Sequence, residues 1–169
     1  MSIHKKQLRD LIRTVLLGID PPIKYSNSAE NLLLLTAAQE SHAGTYIKQI
    51  GGPALGIFQM EPDTHYDIWM NYIQYNPGLR TIANKFSAFD DPLYHENDFA
   101  FRRNAQQLVW NLNYAVILAR IHYYRVPEPL PEYDDVLGLA EYWKQHYNTP
   151  LGRGTVKEAV ENYERLVLE

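Results

Sequence analysis

Glu40 stands at the end of Ala29-Glu30-Asn31-Leu32-Leu33-Leu34-Leu35-Thr36-Ala37-Ala38-Gln39-Glu40-Ser41, a stretch dominated by leucine and alanine. In helical spacing it lies one turn beyond Thr36 and Ala37 and two beyond Leu32 and Leu33, on the strip the leucines occupy. Burial penalises a carboxylate, and the negative end of a helix dipole penalises it again, so both effects raise a glutamate above its ordinary value of about 4.3. Tuned to about 6, such a group still holds a proton near neutrality and can act as a general acid. A glutamate in a last turn can equally swing out to water, as most do. Beyond Ser41 comes a loop with glycines and one amide, Gly51-Gly52-Pro53-Ala54-Leu55-Gly56-Ile57-Phe58-Gln59-Met60-Glu61-Pro62-Asp63-Thr64. A second carboxylate could serve as a general base that activates water. Glu61, Asp63, Asp67, Asp90 and Asp91 are the candidates, with Asp63 and Asp67 first, although most such residues are solvated surface groups.

Other chemistries find little support. Cysteine is absent, which excludes disulfides, zinc thiolates and thiol nucleophiles. The six histidines, His4, His42, His65, His95, His122 and His146, include no pair at the spacing of a zinc-binding helix. Ser41 and His42 are neighbours that point apart on a helix, so they cannot form a hydrolytic dyad. No phosphate loop and no Gly-x-Ser-x-Gly elbow occurs. A net charge of −4 leaves no basic stripe for nucleic acid and no polybasic helix for a membrane surface. We expect no cofactor and no metal.

The elements that must position Glu40 can be placed from periodicity. Leu8, Leu11, Ile12, Val15 and Leu16 predict an amphipathic helix over 3–19, ended by Pro21-Pro22. Asn27 and Glu30 resemble a capping box for the helix that follows, whose four consecutive leucines face all ways and therefore belong in a core. Pro62 suits a first helical position, and Ile68, Trp69, Tyr72 and Ile73 supply a buried face. Leu79, Ile82, Ala83 and Phe86 mark a short helix after the turn Asn76-Pro77-Gly78. Residues 87–98 read as loop, 99–125 as one long helix and 134–146 as another, which carries Val136, Leu137, Ala140 and Trp143. Thr155 with Glu158 is a capping box for a last helix over 156–168. The expected fold is mainly α, a single domain over 1–169 with at most a small hairpin near 45–58. The longest apolar segment, around Val116 to Ala119, is too interrupted to span a membrane, and no signal peptide is read.

Glu40-Ser41, then Gly52 and Ala54, then Gly56-Ile57-Phe58-Gln59-Met60, then Pro62 and Thr64 resemble in order and spacing the first motifs of the soluble lytic transglycosylases. That family belongs to the lysozyme-like superfamily together with goose-type lysozyme. Asn111-Leu112-Asn113-Tyr114-Ala115 is similar to the family's Asn-Ile-x-x-Gly helix, with Ala115 for the glycine, and equally reads as an ordinary core helix. Tyr147-Asn148 match the Ala-Tyr-Asn-Ala-Gly motif, while Thr149 and Pro150 replace its Ala and Gly. The likeness covers about 28–148 and departs from the family over His42 to Ile50, where an Asn-Pro and a Ser are missing.

The resemblance implies that Glu40 is the sole catalytic acid and that Ser41, Gly56, Gln59, Asn111, Tyr147 and Asn148 contact substrate. Gly52 and Gly56 would let the backbone approach a sugar, and the Tyr would reach the Glu. It implies a muramidase cutting the MurNAc–GlcNAc β-1,4 bond of peptidoglycan, with a 1,6-anhydro product. A true lysozyme hydrolase, or a non-catalytic module that binds glycan or protein, is the alternative. A short chain of this kind fits a phage lysin made in the cytoplasm and then released through a holin or carried in the virion. The oligomeric state leaves no mark on the sequence.

Overall fold

Leu32, Leu33, Leu34 and Leu35 all reach essentially zero exposure, which a helix achieves only when neighbours surround it. The computed structural model describes residues 2–94, 98–148 and 152–169. Within them α1 runs Lys5–Gly18, α2 Asn27–Ser41, α3 Pro62–Asn71 and α4 Pro77–Phe86. After these come α5 Asp98–Gln106, α6 Leu112–Tyr124, α7 Val136–Trp143 and α8 Val156–Tyr163. The protein is mainly α-helical, as expected, and α2 is its axis: α1, α6, α7 and α8 all pack against it. Among the described residues no helix is long and apolar enough to cross a membrane. His95, Thr149 and Pro150, singled out above, lie outside the described residues.

The amphipathic face of α1 is buried at Leu8, Ile12, Val15 and Leu16. The start of α2 departs from expectation by one residue. Ser26, with extended backbone, is the N-cap, and its Oγ accepts from the Ala29 amide at 3.1 Å. Glu30 is no capping-box partner, because its buried carboxylate is drawn instead to two arginines of α1. Arg9 donates to it at 2.6 Å and Arg13 at 2.8 and 3.0 Å.

The expected helix over 99–125 is broken. A 3₁₀ turn, Gln107–Val109, separates α5 from α6, and Asn111 restarts the chain as an N-cap, accepting from the Tyr114 amide at 3.1 Å. Asparagine competes well for backbone donors, which favours a cap over continuation. On α6, Ala115 is buried, and α6 packs against α2. The hydroxyl of Tyr114 joins α3, α5 and α6: it donates to Asn104 Oδ1 at 2.6 Å and accepts from Trp69 Nε1 at 2.9 Å and from His65 Nε2 at 2.8 Å.

The hairpin expected near 45–58 is reduced to isolated pairings of Lys48 with Leu55 and of Leu55 with Met60, with no strand among the described residues. The last helix has its capping box, with Thr155 and Glu158 bonded reciprocally. Both C-terminal helices end in a turn of wider π geometry, Lys144–Asn148 after α7 and Glu164–Leu168 after α8. The first of these carries Tyr147 and Asn148 to the candidate site.

Candidate active site

Glu40 occupies the last turn of α2, partly buried, on the wall of a cavity of about 720 Å³. Among the described residues its hydrogen-bond partner is the indole of Trp143, whose Nε1–H donates to Oε1 at 2.9 Å. Burial pushes the carboxyl up to about 7, against the smaller opposing effect of that hydrogen bond. A neutral donor cannot offset desolvation as a cation would. Glu40 is therefore substantially protonated near neutral pH and poised to give up that proton.

The loop that follows α2 lines the same cavity. Leu55 and Met60 exchange both backbone bonds, at 2.9 and 3.0 Å, closing a short loop around Gly56–Gln59. Inside it the backbone amide and Nε2 of Gln59 both donate to the Gly56 carbonyl, at 3.1 and 2.8 Å. Gln59 has a φ of 46°, a left-handed conformation that costs a side-chain-bearing residue energy and that the surrounding bonds hold in place. Tyr147 closes the third side. Its hydroxyl donates to the Phe58 carbonyl at 2.8 Å, which ties the π turn after α7 to the loop. Burial, and next the charge of Glu40, push that hydroxyl well above its ordinary value. Asn148 Oδ1 accepts from Lys144 Nζ at 2.8 Å, and the same ammonium donates to the Gly152 carbonyl at 2.7 Å.

Four of the seven residues expected at the site thus line one cavity: Glu40, Gln59, Tyr147 and Asn148. The other three have structural roles away from it. Ser41 is buried, its Oγ donating to the Ile57 carbonyl at 2.6 Å and accepting from the Gly44 amide at 2.9 Å, which staples the loop to the helix. Gly56 faces the α5–α6 junction rather than a ligand. At a φ of +75° it lies so close to that junction that a Cβ would stand 2.2 Å from the Leu108 carbonyl oxygen. Asn111 caps α6 and donates to the Phe86 carbonyl at 2.8 Å. In the same way Gly52 packs on the Gln49 side chain. The Tyr expected to reach the acid spends its proton on Phe58, and Trp143 takes that place.

Sequence reasoning placed Trp143 only in a core. The signal was available, since a buried indole N–H needs an acceptor, and Trp143 shortly precedes Tyr147. Among the five candidate second carboxylates only Glu61 lines the cavity. It sits at the N-cap position of α3 without a capping bond, so its carboxylate is uncommitted there. Asp67 pairs with Arg125 and Asp91 with Arg80, while Asp63 and Asp90 are exposed elsewhere. His122 also reaches the lining, but both ring nitrogens are engaged: Nε2–H donates to the His146 carbonyl at 3.0 Å and Nδ1 accepts from Arg125 at 3.1 Å. Burial first, then the Arg125 charge, push it down to about 4, so it is neutral and packs edge-on against Tyr147. Gln49, Glu61, Thr64 and Arg153 complete the polar lining. No group of three or more metal-ligating side chains occurs among the described residues.

Compared with protein-family models, with curated proteins and with solved structures, the chain finds no match in any of the three. The chemistry of the site therefore rests on its own geometry.

Proposed function

We propose that this protein cleaves the glycan of peptidoglycan at the MurNAc–GlcNAc β-1,4 bond, as a lysozyme-like muramidase of the lytic transglycosylase type that its motifs resemble. The observation that carries the reading is the state of Glu40. It is a carboxyl on the wall of a largely polar cavity, desolvated and, among the described residues, bonded only to a neutral donor, with its pKa brought to about 7. Ordinary surface glutamates do none of this, and a general acid at neutral pH needs all of it.

In this mechanism Glu40 gives its proton to the glycosidic oxygen as the bond to C1 breaks. The resulting carboxylate takes the proton of the muramyl 6-hydroxyl, whose oxygen attacks C1 and closes a 1,6-anhydro ring. Glu40 ends the cycle protonated, as it began. A hydroxyl already attached to the substrate has a large effective molarity over free water. Gln59 and Asn148 supply amide groups for the sugar, and the Tyr147–Phe58 bond keeps their two walls at a set separation.

A second outcome of the same site is hydrolysis, and the position of Glu61 on the lining favours it. Inverting cleavage needs a base across the sugar, roughly 6.5–9.5 Å from the acid, to activate water. Mass spectrometry of digested peptidoglycan separates the two, since an anhydro end is lighter than a reducing end by one water. We expect anhydro ends. Reducing ends alone would assign Glu61 as the base, and Glu61→Gln should then abolish them. A protein that binds peptidoglycan but cuts none would be a glycan-binding module.

A further inference from the structure

Charge is unevenly spread around the cavity. Among the described residues its lining holds two carboxyl groups, Glu40 and Glu61, and a single guanidinium, that of Arg153. Arg9, Arg13, Arg80 and Arg125 are each committed to a carboxylate. Arg153 is exposed, and among the described residues its side chain forms no ion pair and no hydrogen bond. It follows the Tyr147-Asn148 pair in the chain and matches no position of the motif those residues resemble.

The backbone beneath Arg153 is nonetheless held. On one side the Lys144 ammonium donates to the Gly152 carbonyl and to Asn148, anchoring the turn to the π segment. On the other, Gly154 lies against Trp143 so closely that a Cβ there would come 2.7 Å from the indole Cη2. Trp143 is the residue that bonds Glu40. A free cation is thus carried on a clamped turn, one residue from the contact that supports the acid. A guanidinium presents a rigid fork of donors that matches a carboxylate, and it is less strongly hydrated than an ammonium.

We propose that Arg153 is an anion subsite of the cleft, which takes a carboxylate carried by the saccharide, so that the preferred ligand is an acid-bearing glycan rather than a neutral one. This rests on the glycan reading given above. Glu61 shares the same lining and repels a carboxylate on its side, so the two charges together set which way round the strand lies. The carboxylate has two possible sources, the lactyl ether of a peptide-free muramic acid or a peptide attached to it.

Calorimetric binding in a Glu40→Gln background, where ligand survives, tests this with three probes. These are a neutral chitooligosaccharide, a peptide-free GlcNAc–MurNAc oligomer and the peptide-bearing oligomer. We expect Arg153→Gln to weaken an acid-bearing oligomer by roughly three- to tenfold, as befits a solvent-facing ion pair. The chitooligosaccharide should be unaffected, Arg153→Lys should recover part of the loss, and added salt should erode the preference. Loss confined to the peptide-free oligomer assigns the lactyl carboxylate, and loss confined to the peptide-bearing one assigns the peptide. Equal affinity for all three probes, unmoved by Arg153→Gln, overturns the subsite and leaves the glycan cleft standing. Failure of all three to bind overturns the glycan cleft itself, and the subsite with it.

Discussion

Glu30 and Glu40 lie on the same helix, and their environments push them in opposite directions. Glu30 is buried, its side chain only 2% exposed. Burial pushes it up, but hydrogen bonds from Arg13, Arg9 and Tyr25 outweigh that and leave it below the ordinary range. Glu40 is also shielded from water and has one neutral donor, so burial prevails and it rises to about 7. Burial alone therefore does not decide the ionisation of a carboxyl. The partners do, and those partners come from α1 at one end of α2 and from α7 at the other. One glutamate ties the fold together, and the other is left short of partners where the cavity opens.

The two have opposite consequences for stability against pH. Glu30, with its depressed value, stabilises the fold above the unfolded value near 4.5, and that contribution is lost as pH falls through its folded value. Glu40, with its raised value, costs nothing below about 4.5. Its burden grows between there and about 7 and is full above that. At about 1.4 kcal/mol per pH unit the full cost is on the order of 3 kcal/mol.

The sharpest way to break this contrast is Glu40→Gln. Turnover of peptidoglycan should fall by roughly 10²–10⁴. The same variant should melt higher than the parent at pH 8 and at the same temperature at pH 4, because it removes a charge penalty that exists only above the unfolded value. A melting temperature lowered at both pH values would mean that Glu40 supports the fold, as Glu30 does.

Glu30→Gln should do the reverse. It leaves Arg9 and Arg13 without their carboxylate, and since both are partly exposed the loss should be about 1–3 kcal/mol, read by chemical denaturation at pH 7. Turnover per folded molecule should stay at the parent value. A drop in turnover with unchanged stability would erase the division of labour between the two residues.

Trp143→Phe is the smallest and most specific change. Removing the Nε1–H takes away the one interaction that holds Glu40 down, so the acid should become weaker still. The high-pH limb of the rate profile, which follows loss of the Glu40 proton, should move upward by up to about one pH unit, the worth of one hydrogen bond to a charged group. A shift downward would show that water entering the space matters more than the lost donor.

The contrast between Ser41 and Gln59 explains how far the site could be read in advance. Both belong to the motifs that resemble the transglycosylases, and both are polar residues, Ser41 at the end of α2 and Gln59 in the loop that follows it. Yet Ser41 is bonded inside the protein on every side while Gln59 faces the cavity. Asn111 repeats the lesson, since asparagine serves equally well for a helix cap or a sugar contact. Residue type and order carry the same information in either case, and only the direction of the side chain separates them.

By itself the sequence determined the central helix with its four buried leucines, the carboxylate at its end, the final capping box and the mainly-α class. Each of these follows from local periodicity or from a pair of residues within one turn. The tertiary structure alone decided the rest. It broke the helix expected over 99–125, gave Glu30 to Arg9 and Arg13, brought Trp143 to Glu40 across the fold, and chose Glu61 over Asp63 and Asp67 for the cavity wall. Those are contacts between distant segments, set by how the helices pack, and the same local pattern is compatible with several such packings.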